Sequence, residues 1–261
     1  MVICLGIPLD ENSSFLKGAS LAPQKIRDAY HSDSANYWTE GGTELKNDKG
    51  WKDSGDLSLS RMPDAFREIE NAIVGHVRAE NKVFSLGGDH SITYPIIKAF
   101  AKKYSNLNIL HIDAHGDLYD DFEGNKFSHA CPFARIMEEG LAKRLVQVGI
   151  RTYNAHQRDQ VRRFGVETIE MKDWSDERSF DFQGPLYISL DLDALDPAFV
   201  PGVSHHEPGG FSTRQVLSII QKLDTEIAGA DIVELNPTRD LNGVTSMVAA
   251  KLFKEILAKM L

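Results

Sequence analysis

The chain has 261 residues, 42% of them hydrophobic and 26% charged, and a net charge of −9. That composition is an ordinary soluble one, able to bury a sizeable core, and its negative balance argues against a nucleic-acid partner, which calls for a basic face. Two distant cysteines, Cys4 and Cys131, make no disulfide framework, no run approaches the roughly 18 apolar residues of a membrane span, and the start MVICLGIPLDENSS lacks the pattern of a signal peptide, so a cytoplasmic protein is expected.

In chain order, residues 2–7 read as a β-rich apolar strand ended by Pro8, followed by a polar loop over 10–20. Pro23 opens a helix through Tyr30. Residues 31–61 are the least regular part, with one short strand possible near Trp51. Helical periodicity runs over 64–80 behind Pro63. The chain then alternates: strand 82–86, helix 95–103, strand 107–112, helix 132–141, strand 144–149, helix 155–164, strand 166–169, strand 186–190, helix 213–223, strand 230–234 and a closing helix 244–260. Such alternation, with strands that are apolar throughout, predicts an α/β fold with a mainly parallel central sheet covered on both faces. No repeat or linker interrupts it, so a single domain over 1–261 is expected.

Four apolar runs end in polar clusters: Gly87-Gly88-Asp89-His90-Ser91, Asp113-Ala114-His115-Gly116-Asp117, Asp191-Leu192-Asp193 with Asp196-Pro197, and Glu234-Leu235-Asn236-Pro237. In a parallel sheet these converge at one rim, beyond the carboxyl ends of the strands. Asp113, His115 and Asp117 are spaced two apart, so along an extended strand all three project to one side. With His90, Asp191 and Asp193 they make two imidazoles and four carboxylates, more than one tetrahedral zinc requires and without a thiolate. An oxygen-rich set with two histidines suits a pair of divalent ions, Mn²⁺ best. Two such ions sharing a hydroxide generate a nucleophile at neutral pH, and the implied reaction is metal-assisted hydrolysis.

GGDHS, DAHGD and SLDLDALDP, in this order, resemble the three signatures of the arginase/agmatinase ureohydrolase family, GGDHS, DAHxD and SxDxDxxDP. KGASLAPQKIRDAY, EPGGF and VELNP are similar to agmatinase-type segments. The resemblance implies a three-layer α/β/α arginase-like fold, two Mn²⁺ per subunit and a trimeric or hexameric homo-oligomer. It implies that His90 and His115 bind one ion each, with Asp113, Asp117, Asp191 and Asp193 around and between them. Glu234 would hold a guanidinium, a planar cation suited to a carboxylate. Asp117 would orient the attacking hydroxide, and His129 would carry a proton to the leaving amine, although Ala130 stands where the family has glycine.

Other residues invite plainer readings. Asp89 and Asp196 read as supporting or turn acids, His111 as a buried hydrogen-bonded histidine, and His31, His76 and His156 as surface residues. Cys131 reads as a small buried thiol. Within the family an agmatinase-like activity is expected, because 118–128 lacks a long Ser/Thr/Asn-rich loop and its Asp120, Asp121 and Glu123 suit a substrate that ends in an amine. Gly202–Glu207 departs from the agmatinase pattern, and its His205 and Glu207 are expected at the substrate tail. Guanidinobutyrate or another guanidino acid, arginine and formiminoglutamate stay open as substrates. A two-metal phosphoesterase is a more remote reading, lacking its G-N-H-[DE] element; a catalytically silent metal-binding relative is another.

Overall fold

The protein is described over residues 1–261 by a computed structural model. Eight strands form one sheet in the order β2-β1-β3-β8-β7-β4-β5-β6, and every neighbouring pair is parallel. The strands are β1 (Val2–Gly6), β2 (Trp51–Asp56), β3 (Lys82–Leu86), β4 (Asn108–Ile112), β5 (Arg144–Ile150), β6 (Glu167–Glu170), β7 (Leu186–Asp191) and β8 (Ile227–Val233). Seven α-helices cover it: α1 (Ala22–Tyr30), α2 (Asp64–Arg78), α3 (Thr93–Ala101), α4 (Pro132–Glu138), α5 (Ala155–Phe164), α6 (Thr213–Lys222) and α7 (Val244–Met260).

Strand parity decides the two layers of core. In β1, Val2 and Cys4 belong to the core that includes Ile26 of α1, Ile220 of α6 and Phe253 of α7, whereas Ile3 and Leu5 belong to the one with Ile69 of α2, Ile97 of α3 and Phe133 of α4. Both sheet faces are therefore covered, which is why the central strands carry apolar residues at every position. Local signals set the helix ends: Ser212 and Gln215 form a reciprocal capping box on α6, and Asn154 caps α5.

Elements expected from the sequence are present, with three informative differences. β8 starts at Ile227, three residues before the expected Ala230; it runs through Gly229, a poor strand former that is needed there because a Cβ would lie 2.4 Å from the Phe100 ring. Helix α3 starts at Thr93 rather than Pro95, a proline being tolerated in the first turn. In 31–61 the strand near Trp51 exists as the edge strand β2, tied to α1 where Arg27 binds Asp53 and Asp56.

The strands bearing the four polar clusters, β3, β8, β7 and β4, are contiguous at the centre of the sheet. Since all run in one direction, their clusters share one rim.

Candidate active site

Each ligand candidate leaves its strand at a sharp turn. At the end of β3, Gly88 passes so close to Leu9 that a Cβ there would lie 1.7 Å from the Leu9 carbonyl oxygen. This turn delivers Asp89, which accepts from Ser91 N–H at 3.0 Å and starts the short 3-10 turn carrying His90. Strand β4 stops at Ile112, before the first of its three candidates. Asp113, His115 and Asp117 are therefore not gathered by strand alternation. Their chain curls back on itself: Asp113 Oδ1 accepts from the His115 amide at 2.6 Å, and Asp117 takes the left-handed backbone at φ 49°. Glu234, after β8, does the same at φ 65°. A non-glycine in that region costs about 1–3 kcal/mol and is retained where the surroundings demand it.

Two nests result, sharing Asp113. His90 Nδ1 lies 3.2 Å from Asp113 Oδ2, 3.1 Å from Asp117 Oδ2 and 3.1 Å from Asp191 Oδ2. His115 Nδ1 lies 3.1 Å from Asp193 Oδ2 and 3.4 Å from Asp113 Oδ1. All six are buried except His115, which is partly open to the cavity.

The proton on His90 can be assigned from its neighbours. Ser189 donates its hydroxyl to Asp231 Oδ1 at 2.8 Å, so its oxygen accepts from His90 Nε2–H at 3.0 Å. Nδ1 then presents a bare lone pair to three carboxylate oxygens, and it is a buried nitrogen without a hydrogen-bond partner. That arrangement repels itself unless positive charge sits between the four atoms. Burial alone would lower the His90 pKa, but Asp113, Asp117 and Asp191 hold it well above its usual value, so without a metal a proton on Nδ1 takes that place. Burial and then the charges of Asp193 and Asp113 push Asp191 well above its usual value, and burial raises Asp193 to about 6. The residues fit divalent cations, with the tautomer that a metal-ligating histidine uses.

Beside the nests, His129 Nδ1 meets Glu234 Oε1 at 2.8 Å, and the same oxygen accepts from the His90 amide at 2.9 Å. Glu234 Oε2 is left without a protein partner. The nests and this pair open into a cavity of about 170 Å³, whose lining includes His115, Asp117, Asp191, Asp193, His129 and Glu234. The outer lining is uncharged except for the titratable His205: Ser14, Tyr119, Phe122, Ala130, Thr152 and Gln157.

His205, expected at the substrate tail, is part of this lining, 5.3 Å from the His129 ring. Glu207 is not. Asp196 accepts from the Gly209 amide at 2.7 Å, and Arg151 Nε donates to the Glu207 carbonyl at 3.0 Å, so this limb of the loop is pinned away from the cavity. The acids expected to favour an amine-ended substrate do not line the cavity either. Asp120 engages Gln160 and Arg163 on α5, Asp121 caps the Gly124 amide at 2.7 Å, and Glu123 is exposed.

Among the plainer readings, Asp89 is a buried support and Asp196 a turn acid. His111 is buried and hydrogen-bonded, Cys131 is buried, and His31 and His156 are exposed, with His76 half-buried. Three contributors escaped the sequence reading: Asp231, Gln147 and Ser14. Asp231 sits mid-strand and binds Thr93, Tyr187 and Ser189 hydroxyls, orienting His90 through the last of these. An ionisable residue inside an apolar strand was the signal available for it.

Comparisons with known proteins agree with this geometry. Arginase 1, mitochondrial, of Arabidopsis thaliana is 48% identical over 98% of this chain and 80% of its own length. Agmatinase, mitochondrial, of Gallus gallus is 35% identical over 97% of this chain and 79% of its own length. The structure of arginase from Medicago truncatula superposes with a TM-score of 0.93 at 44% identity, covering 99% of this chain and 87% of that one. Residues 1–258 match the sequence profile described as the Arginase family, and with the shared fold this makes the chain a member of that family.

Proposed function

We propose that the protein hydrolyses the guanidinium group of L-arginine, releasing urea and ornithine, with two Mn²⁺ ions held by His90, Asp113, Asp117, Asp191, Asp193 and His115. The observation that carries the chemistry is the pair of imidazole–carboxylate nests meeting at Asp113. Bound ions would supply a water of lowered pKa and a Lewis-acid field. The chain's own residues do the rest. Glu234, with Oε2 unpartnered, receives the guanidinium and fixes its plane. Asp117 orients the attacking water, and His129 moves a proton to the leaving nitrogen.

Arginine is preferred to agmatine for two reasons. Relatives at 44–48% identity carry the name arginase, against 35% for the agmatinase. The outer cavity, moreover, offers hydroxyls, an amide and an imidazole rather than carboxylates, and such a lining suits a zwitterionic amino-acid end. Both thiols are free and buried, which suits a reducing compartment such as the cytoplasm, and no helix is long and apolar enough to cross a membrane.

The test is urea release by the Mn²⁺-loaded protein from arginine, agmatine, 4-guanidinobutyrate and 3-guanidinopropionate, with ammonia release from formiminoglutamate. Highest kcat/KM on arginine is expected. Highest kcat/KM on agmatine would keep the chemistry and overturn the substrate, and silence on all five with metal bound would overturn the reaction class.

A further inference from the structure

His129 has no nitrogen free to face the substrate. Nδ1 is taken by Glu234 at 2.8 Å, and Nε2 lies 2.8 Å from the Ser14 hydroxyl and 3.2 Å from the Ser14 amide, which donates to it. The backbone N–H can only donate, so this geometry belongs to the ring with Nε2 unprotonated and its proton on Nδ1; a second proton, on Nε2, would have to give up the contact with the Ser14 amide. Any proton passing between this ring and the cavity other than through Glu234 must therefore cross Ser14 Oγ, and Ser14 is exposed in the cavity lining.

The loop that carries Ser14 is built to hold it there. The Asn12 amide donates to Asp89 Oδ2 at 3.1 Å, Asn12 Nδ2 donates to Ser91 Oγ at 3.1 Å, and Ser13 Oγ donates to Asp89 Oδ2 at 3.3 Å. In return, the His129 amide donates to the Asn12 carbonyl at 3.1 Å. Loop and histidine are thus fastened to each other and to the buried acid next to His90.

We propose that the Ser14 hydroxyl is the proton relay between His129 and the leaving nitrogen, an inference that rests on the shuttle role given to His129 above. The proton that loads Nε2 comes from the attacking water by the same route: Oγ takes it from the water and passes its own proton to Nε2. As the C–N bond breaks, its electron pair stays on the departing nitrogen. That nitrogen takes the Oγ proton while Oγ takes the proton from Nε2, and His129 returns to the neutral form seen here. Ser14 ends with its hydroxyl restored, so protons balance.

The test compares Ser14→Ala, Ser14→Thr and His129→Ala in Mn²⁺-loaded protein, with metal content measured in each. Ser14→Ala is expected to lower kcat by about 100-fold or more, with KM and metal content little changed. Ser14→Thr, which keeps the hydroxyl, should recover most of that loss. The deficit of Ser14→Ala should also shrink on guanidines whose leaving amine is made less basic by β-fluorine, since such an amine departs with less need of a proton. Unchanged kcat in Ser14→Ala beside an impaired His129→Ala would overturn the relay and leave the shuttle standing. Full activity in His129→Ala would overturn both. A deficit that Thr does not relieve and that ignores leaving-group basicity would mean that Ser14 only packs the loop, and would also sink the relay.

Discussion

His111 donates from Nε2 to Asp113 Oδ2 at 2.7 Å, and the direction of that bond is set two residues away. Tyr153 donates its hydroxyl to Gln147 Oε1, so Gln147 Nε2 is the donor to His111 Nδ1 at 2.9 Å and to the Gly116 carbonyl at 2.6 Å. With its Nδ1 accepting, His111 must carry its proton on Nε2. Burial lowers the pKa of this ring, so it stays neutral, and it stacks on Phe133 at 3.9 Å. Asp113, the one carboxylate common to both nests, is thereby held from beneath.

Replacing His111 by phenylalanine keeps the stacked ring and removes the donor. Metal affinity should fall about 10- to 100-fold, as when other partners of ligating groups are removed. Titration of the chelated protein with Mn²⁺, followed by calorimetry, measures it; wild-type affinity would show that His111 only fills space.

Asp117 and Glu234 share the left-handed backbone but face different tasks. Asp117→Ala should abolish turnover and weaken metal retention, since it removes one of three oxygens around His90 Nδ1. Glu234→Ala should lose turnover while both metals remain. Metal analysis of the two purified variants separates these outcomes, and metal loss in Glu234→Ala would make that residue a ligand instead.

The His129–Glu234 pair sets a pH dependence in the metal-free protein. Burial works against charge on His129, but Glu234 and then Asp89 raise its pKa from 6.5 to about 9. A raised pKa contributes stability that is complete below about 6.5 and disappears as pH climbs through about 9. Glu234, buried but facing His129, is lowered from 4.5, so its contribution exists above that value and fades as pH falls. With chelator present, the melting temperature lost in His129→Ala should thus be greater at pH 6 than at pH 9.5. Equal losses at both would remove the charge interaction from the account.

Gly88→Ala places a methyl group against the Leu9 backbone, which is hydrogen-bonded to Asp89 and has no side-chain freedom with which to yield. A destabilisation of at least about 3 kcal/mol is expected, beyond the usual range for a surface change. Urea unfolding checks it, and a change under about 1 kcal/mol would mean that the turn relaxes.

Much of this protein was legible in its residues. Uninterrupted apolar strands alternating with amphipathic helices are enough to specify a covered parallel sheet, and a parallel sheet puts strand-end clusters on one rim. For that reason His90, Asp113, His115, Asp117, Asp191 and Asp193 could be named together from sequence. Tertiary structure decided what depends on direction rather than residue type. Asp113, His115 and Asp117 meet because the chain curls after β4, not because a strand alternates there. Asp120, Asp121 and Glu123 have the composition of an acidic rim yet turn away from the cavity, and Glu207 is drawn aside by Arg151. Ser14 and His129 are 115 positions apart and meet only when two loops are tied through Asn12 and Asp89. Such contacts are set by φ angles and by hydrogen bonds between remote segments, and neither leaves a periodic trace in the sequence.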